Sequence, residues 1–271
     1  MVQWKKGLII VRVRLAFASE NGQRISLPVH YNHLVQALIY RVLPEKLARD
    51  LHEEGFPYEK RRFKLFTFSR LLEQGQPVEQ SGRRMLCFPG KISFFFATPR
   101  DEILESLLRE AFLKKSIMLL GQKVFLAEVR VIPEPNWSLP LTVRFLSPVT
   151  VYRTTEENGK RITHFLKPRE PEFNRLLVEN ARKKYFLITG KVADGFSFSL
   201  SPFRFSEERN RVVVIFKGTP IAAWTGIFRL EGDSELVAIS YQAGLGSKNS
   251  AGFGMWEVWE PPRHGNASEQ G

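Results

Sequence analysis

The alternation of apolar and polar residues predicts a run of strands and helices in the first half of the chain. Over residues 7–17, apolar residues alternate with Arg12 and Arg14, which is the two-residue period of a strand. Over residues 32–42, apolar residues recur every three or four positions, as in an amphipathic helix. The predicted elements are, in order, a strand at 7–17, a helix at 32–42 that Asn32 can cap, a helix at 44–55, a strand at 61–72, a hairpin at 84–99, a helix at 100–115 and a strand at 116–132.

The second half repeats this order. Its pattern predicts a strand at 141–153, a helix at 168–189, strands at 196–206, 212–218 and 221–232, a helix at 234–244 and a last strand at 252–260. The succession strand, helix, strand, strand, helix, strand is the ferredoxin-like unit, so the pattern predicts that unit twice. Three prolines in residues 133–140 disfavour regular structure and predict a linker there.

We therefore predict an α+β fold of two tandem ferredoxin-like domains with a cleft between them. The predicted boundaries are residues 1–135 for the first domain and 138–260 for the second, with a disordered tail at 261–271. Open sheet faces beside a cleft suit single-stranded RNA, whose bases and backbone are accessible.

The charge of the chain points to an anionic partner. The 271 residues include 40 Lys and Arg against 28 Asp and Glu, a formal net charge of +12. Residues 1–137 hold 22 basic and 14 acidic side chains, and residues 138–271 hold 18 and 14, so the excess is greater in the first half. Nucleic acid is the first candidate and an anionic membrane surface the second. A basic protein without a polyanion partner is the remaining alternative.

Several classes of site are disfavoured by what the sequence contains. A single cysteine excludes an intramolecular disulfide and a cysteine-rich zinc site, and Cys87, between Leu86 and Phe88, is expected to be a buried strand thiol. His30 and His33 have no carboxylate or cysteine nearby, so we expect no metal site and no cofactor. No stretch approaches the roughly 20 apolar residues of a membrane span, and the strand-like start does not suit a signal peptide. We expect a cytoplasmic protein with no membrane partner.

The segment GLGSKNSAGFGMW, residues 244–256, contains two Gly-x-Gly pairs. A dinucleotide-binding fingerprint would follow a first strand and open a helix, whereas here a helix leads in and a strand leads out. A Walker loop would need Gly-Lys followed by Ser or Thr, which is absent. Both nucleotide-cofactor interpretations are therefore disfavoured.

The composition of this segment suits contact with a phosphate backbone instead. Glycines let the main chain approach a phosphate closely, and a lysine with neighbouring polar side chains adds charge and hydrogen-bond donors. A loose turn after a helix is the alternative, although it has less need of four glycines. The predicted RNA-binding residues are Gly244, Gly246, Lys248, Asn249, Ser250, Gly252 and Gly254.

Three motifs together resemble one known family. GLGSKNSAGFG resembles the glycine-rich loop of the RAMP superfamily of CRISPR-associated proteins, and it lies where that loop lies, between the last helix and the last strand. LPVHYNHLVQALIY and LFTFS resemble the CRISPR repeat-processing endoribonucleases, the sixth numbered Cas family. The resemblance runs from Leu8 to Val258.

The resemblance implies metal-independent cleavage of CRISPR repeat RNA to give crRNA. In that reaction the 2′-hydroxyl attacks the adjacent phosphate and leaves a 2′,3′-cyclic phosphate and a 5′-hydroxyl. It needs a base, an acid and a cation. By motif match, the catalytic trio falls on Tyr40, His52 and Lys64. The alternatives are a non-catalytic RAMP subunit that holds crRNA in an effector complex and an RNA-binding module without a CRISPR role. Other Cas proteins, or a second copy of the chain, are open as protein partners.

The chemistry of the trio leaves the assignment of acid and base open. His52 has a reference pKa near neutrality and suits either role, although a histidine at a helix end is often structural. A tyrosine with a reference pKa near 10 is a poor base, so Tyr40 is expected to act as the acid or to orient the ribose. Lys64 would supply positive charge at the phosphate, or simply point to solvent. The neighbouring cations at residues 60–62 suit either RNA contact or a solvated turn.

Overall fold

A computed structural model describes residues 11–261 of the chain. The start of the first predicted strand, residues 7–10, and residues 262–271 of the predicted disordered tail lie outside the described residues. Cys87 is buried with a free thiol, as predicted. Among the helices of the described residues, none is long and apolar enough to cross a membrane.

From residue 11 onward, the first half contains ten strands and three helices. They are β1 (Val11–Ser19), β2 (Ile25–Pro28), α1 (Asn32–Val42), α2 (Glu45–Glu53), β3 (Phe56–Tyr58), β4 (Arg61–Phe63), β5 (Thr67–Phe68), β6 (Gln76–Gln80), β7 (Arg83–Phe88), β8 (Lys91–Ala97), α3 (Asp101–Leu113), β9 (Ile117–Leu119) and β10 (Gln122–Pro133). The main sheet has the order β5-β8-β1-β10-β9, and all its pairs are antiparallel. If the short β9 is left out, the order read from the other edge is β10-β1-β8-β5. These are the fourth, first, third and second strands of the ferredoxin-like unit.

The described residues of the second half form eight strands, three α-helices and a short 3₁₀ helix at Asn249–Ala251. The strands and α-helices are β11 (Leu141–Phe145), β12 (Tyr152–Glu157), β13 (Lys160–Phe165), α4 (Pro171–Thr189), β14 (Phe198–Arg204), α5 (Glu207–Asn210), β15 (Arg211–Phe216), β16 (Thr219–Trp224), β17 (Ile227–Gly232), α6 (Ser234–Ala243) and β18 (Trp256–Val258). The sheet order β14-β17-β11-β18 repeats the arrangement of the first half. The antiparallel hairpins β12-β13 and β15-β16 are additions to the common core.

Two predicted elements of the first half are wrong in detail. The predicted hairpin at 84–99 does not form, because β7 pairs with β2 and β6 in a separate three-stranded sheet while β8 pairs with β1 and β5. The predicted strand at 61–72 is divided by Leu65, whose φ of 51° is incompatible with a strand. As a result β4 turns away to pair with β3, and only β5 joins the main sheet.

The long strands predicted at 116–132, 141–153 and 252–260 are also shorter than expected. Each is interrupted by a turn or loop, and the last strand begins only at Trp256. Apolar composition alone does not locate these breaks, since a buried turn and a buried strand both contain apolar residues.

Buried polar contacts join the two halves. Arg12 of β1 is 2% exposed, and its Nη2 donates to the main-chain oxygens of Tyr241 at 3.1 Å and of Trp256 at 2.9 Å. The guanidinium carbon lies 3.9 Å from the centre of the Tyr241 ring. Burial lowers the pKa of Arg12 to about 10, so the side chain stays charged at neutral pH.

Asn32 does not cap α1 as predicted. The helix begins at Asn32, but its Nδ2 donates to the main-chain oxygens of Ala251 at 3.0 Å and Gly252 at 3.1 Å. Thr67 Oγ1 donates to the Phe253 oxygen at 3.1 Å. The glycine-rich segment of the second half is therefore docked on the first half.

Candidate functional site

Tyr40 and His52 meet where two consecutive helices face each other. Tyr40 lies in the last turn of α1 and His52 in the last turn of α2. Their ring centroids are 5.5 Å apart, with the rings nearly perpendicular. Tyr40 also packs against the buried ring of Phe66, at 5.9 Å, while the His52 side chain is exposed. A partly buried phenol thus lies against an imidazole that is open to a substrate.

The Lys64 side chain contacts the main chain of His52. Its Nζ donates to the main-chain oxygen of His52 at 2.6 Å. Gly55, with a φ of 57°, makes the turn between them. An added Cβ at Gly55 would lie 2.4 Å from the Phe63 oxygen and 3.1 Å from Lys64 Nζ, so only glycine allows the two segments to approach this closely.

The surroundings of two of these side chains shift their pKa values. Burial raises the pKa of Tyr40, so the phenol keeps its proton at neutral pH. Burial, together with the nearby positive charge of Arg62, lowers the pKa of Lys64. Tyr40 is therefore a proton donor and not a base under ordinary conditions.

The glycines of the 244–256 segment pack against protein atoms. An added Cβ at any of the four glycines would lie between 1.9 and 2.6 Å from a protein atom. At Gly252, which has a φ of 81°, the atoms in the way are Phe68 Cε2 at 2.5 Å and Asn32 Nδ2 at 2.7 Å, both from the first half. The glycines allow the loop to fold tightly and dock. Direct contact of their amides with RNA stays a prediction.

The loop is closed by a buried lysine and an asparagine. Lys184 of α4 is 3% exposed, and its Nζ donates to the oxygens of Gly244 at 2.7 Å and Gly246 at 3.1 Å and to Asn249 Oδ1 at 2.7 Å. Asn249 Nδ2 donates to the oxygens of Leu245 at 2.9 Å and Phe253 at 3.0 Å. The predicted RNA-binding side chain of Asn249 is thus engaged within the protein.

The side chains of Lys248 and Ser250, the other two predicted RNA-binding side chains of the loop, are partly accessible. Leu245 and Phe253 anchor the two ends of the loop in the core, at 1% and 0% exposure. Lys248 lies at the tip of the loop, with its Nζ 5.0 Å from the centre of the Tyr152 ring. Ser250 accepts a hydrogen bond from Gln36 Nε2 at 2.7 Å through its main-chain oxygen, so its hydroxyl is the group that could face a ligand.

A cleft of about 250 Å³ lies between the β4–β5 segment and the loop. Its lining includes Lys64 on one side and Lys248 on the other, whereas Tyr40 and His52 lie outside it, beside Lys64. The lining contains five basic side chains, and among the described residues no acidic side chain belongs to it: the five are Arg61, Arg62, Lys64, Lys184 and Lys248. Such a cleft attracts a polyanion and brings it to the tyrosine–histidine pair.

Two polar residues at this site were not predicted as functional. Asn180 and Lys184 both line the cleft and are both buried. They fall on the side of α4 that also carries Phe173 and Leu177, which the apolar pattern assigns to the core. A polar residue at an apolar position of a helix was therefore the available signal.

Two family models match adjoining parts of the chain. The model described as "CRISPR-associated protein Cas6, N-terminal" matches residues 26–130. The model described as "CRISPR associated protein Cas6, C-terminal" matches residues 132–258.

Curated proteins and solved structures agree with these models. The CRISPR-associated endoribonuclease Cas6 of Pyrococcus furiosus is 28% identical over 242 residues, 88% of this chain and 86% of that protein. The CRISPR-associated endoribonuclease Cas6 1 of Methanocaldococcus jannaschii is 24% identical over 251 residues, 90% of this chain and 91% of that protein. A structure described as "An RAMP protein binding different RNA substrates" has a TM-score of 0.75 at 18% identity and covers 92% of this chain and 100% of that one. The predicted tandem ferredoxin-like fold is confirmed, while its boundaries at residues 135 and 138 stay a prediction.

Proposed function

Because the chain belongs to the CRISPR-associated protein Cas6 family, we propose that it is an endoribonuclease that cuts CRISPR repeat RNA in precursor transcripts to give crRNAs. The observation that carries the proposal is the contact of Tyr40, His52 and Lys64 beside a cleft with a basic lining. Relatives of similar length are named as CRISPR-associated endoribonucleases, which supports the same activity.

The proposed reaction uses only groups of the RNA and the protein. His52 accepts the proton of the 2′-hydroxyl, because it is exposed and because histidine is the side chain that most often acts as a general base. The 2′-oxygen then bonds to phosphorus while the bond from phosphorus to the 5′-oxygen breaks. Tyr40, which keeps its proton, donates it to the leaving 5′-oxygen. A proton then passes from the His52 imidazolium to the Tyr40 phenolate through solvent, and the products carry a 2′,3′-cyclic phosphate and a 5′-hydroxyl.

Lys64 offsets the negative charge that develops on the phosphate. Its Nζ is held by the His52 oxygen on the side of the cleft that faces Lys248. A fixed cation of this kind needs little reorganisation when charge develops, which is the usual source of large electrostatic stabilisation. Since base, acid and cation are all side chains, the mechanism requires no metal ion.

A non-catalytic RAMP subunit that only holds crRNA is the second candidate function. It would need the basic cleft but not a tyrosine ring packed against an exposed histidine with a lysine bound to the main-chain oxygen of that histidine, so the geometry favours the enzyme. Association with other Cas proteins or with a second copy of the chain stays a prediction.

The function is tested with a cognate repeat RNA in EDTA. We expect cleavage to continue in EDTA and to stop when the scissile nucleotide carries a 2′-deoxy sugar. His52→Ala should lower the single-turnover rate about 10²–10⁴-fold, as expected for a general base. His164→Ala, which removes another partly exposed histidine from β13, is the matched control and should leave the rate unchanged. Cleavage of the 2′-deoxy RNA, or equal rates for the two variants, would overturn the mechanism.

A further inference from the structure

Asn180 places an amide without a complete set of partners in the wall of the cleft. The residue is 6% exposed and contributes to the lining. Its Oδ1 is buried and, within residues 11–261, accepts no hydrogen bond. A buried polar atom without a partner is destabilising, so such atoms are rare unless they serve a ligand or a mechanism. Rotation of the amide by 180° exchanges its oxygen and nitrogen, so this residue can present either an acceptor or a donor.

An aromatic ring lies on the same cleft. Tyr152 of β12 is half-buried and lines the cleft, with Lys248 above its ring at 5.0 Å. Arg61 and Arg62 belong to the same lining. One cleft therefore holds a ring for stacking, an amide for hydrogen bonding and cations for phosphate, which are the three kinds of group that bind a nucleotide.

We infer that this cleft is a base-reading subsite, in which an unpaired base of the RNA displaces the Lys248 ammonium from the face of the Tyr152 ring and stacks there, while Asn180 hydrogen-bonds to the edge of the base. The inference rests on the proposed function, because it assumes an RNA substrate. Lys64 lines the subsite and also contacts His52, so the base belongs to a nucleotide next to the scissile phosphate. The site gives the enzyme a sequence preference at that nucleotide.

The hydrogen-bonding groups of the Asn180 amide indicate which of the four bases binds. An asparagine side chain can present an N–H donor and a carbonyl acceptor side by side in one plane, and adenine is the base that it most commonly binds in this bidentate way. The cleft, at about 250 Å³, is smaller than the cavities that hold drug-sized molecules, so its occupant is one base and not a duplex. We therefore expect adenine at the nucleotide that enters the cleft.

The test measures binding of RNA that cannot be cleaved. Cognate repeat RNAs with a 2′-deoxy sugar at the scissile nucleotide are prepared with one abasic site at each neighbouring position in turn, and Kd is measured by fluorescence anisotropy. For the wild type, one abasic position should weaken binding about five- to 150-fold, which is the range for a stacked base. Asn180→Leu and Tyr152→Ala should each reduce that penalty at the same position, since coupled groups show non-additive effects. An equal abasic penalty in the wild type and both variants would overturn the inference.

A second series tests the identity of the base. With each of the four bases at that position, the wild type should prefer adenine, and Asn180→Asp, which keeps the shape but removes the donors, should lose the preference. Asn158→Asp, at the exposed tip of the β12-β13 hairpin, is the matched control and should keep it. The ratio of Kd values between bases cancels any general effect of the added charge. Equal binding of the four bases by the wild type, or a preference unchanged in Asn180→Asp, contradicts base reading by Asn180.

Failure of the subsite and failure of the proposed function give different results. The binding series uses RNA that cannot be cleaved, so its outcome does not depend on catalysis. If the variants reduce the abasic penalty but the protein does not cleave unmodified RNA, the base-reading subsite is supported and the proposed endoribonuclease activity is rejected. If the protein cleaves unmodified RNA but the abasic penalty is the same in the wild type and the variants, the endoribonuclease activity is supported and the subsite is rejected.

Discussion

Lys184 carries a primary amine into the interior of the second half. Three oxygen atoms surround its Nζ, which favours the ammonium form, while burial lowers its pKa to about 7. In the unfolded chain the pKa returns to its ordinary value of 10.5, so between about pH 7 and 10.5 the unfolded chain binds more protons than the folded chain. The free energy of unfolding should therefore rise with pH across this window, by at most about 1.4 kcal/mol per pH unit for this one group.

The contribution of Lys184 can be isolated by substitution. We expect Lys184→Met to lose this part of the pH dependence in urea unfolding curves measured between pH 7 and 10. Lys46→Met, at an exposed position of α2, should keep the dependence of the wild type. If the free energy of unfolding changed with pH in the same way for the wild type and Lys184→Met, the buried amine would not titrate in this range.

The turn between α2 and β3 sets the distance between His52 and Lys64. Gly55 occupies the left-handed region there, and an added Cβ would collide with the Phe63 oxygen at 2.4 Å. We expect Gly55→Ala to push the β3-β4 hairpin away from α2 and to lower the single-turnover cleavage rate by at least tenfold, because small displacements of a reacting group reduce rates strongly.

A second glycine provides a control that distinguishes the effect of backbone strain from the effect of a steric clash. Gly22, between β1 and β2, has a φ of 64°, but an added Cβ there would meet only open space. Gly22→Ala therefore carries the same conformational strain and should lower stability by about 1 kcal/mol without changing the rate. Equal rates for Gly55→Ala and the wild type, under conditions where both are folded, would exclude a role for this turn in the site.

The elements near the site show how far the sequence could predict them. The helix at 32–42 was predicted with its observed limits because its apolar period is regular over three turns. The segment 61–72 was not, since its break at Leu65 depends on a left-handed residue that apolar composition does not indicate. The role of Asn32 was also missed, because its partners, Ala251 and Gly252, are more than 200 positions away in the sequence.

At the scale of the whole molecule, the repeated unit was predictable because each copy is built from local patterns. The added hairpins and the separate three-stranded sheet were not, since pairing partners such as β2 and β7 are chosen by competition among many apolar segments. The motifs indicated Tyr40, His52 and Lys64 as the candidate trio, and the fold packs the first two rings together and binds the Lys64 ammonium to the His52 main-chain oxygen. The positions of Asn180 and Lys184 on the apolar side of α4 mark them as unusual in the sequence, but only the tertiary structure places them in the cleft.

The net charge of +12 predicts that RNA binding weakens as salt increases. For a single strand, the logarithm of the association constant should fall with the logarithm of salt concentration by about 0.7 for each phosphate neutralised. Arg61 and Lys248 both line the cleft, so Arg61→Gln and Lys248→Gln should each reduce the slope by about 0.7. Arg109→Gln removes an exposed cation from α3 and should leave the slope unchanged, although it lowers the net charge equally. If all three variants reduced the slope alike, binding would depend on net charge, and the cleft would not be where the backbone lies.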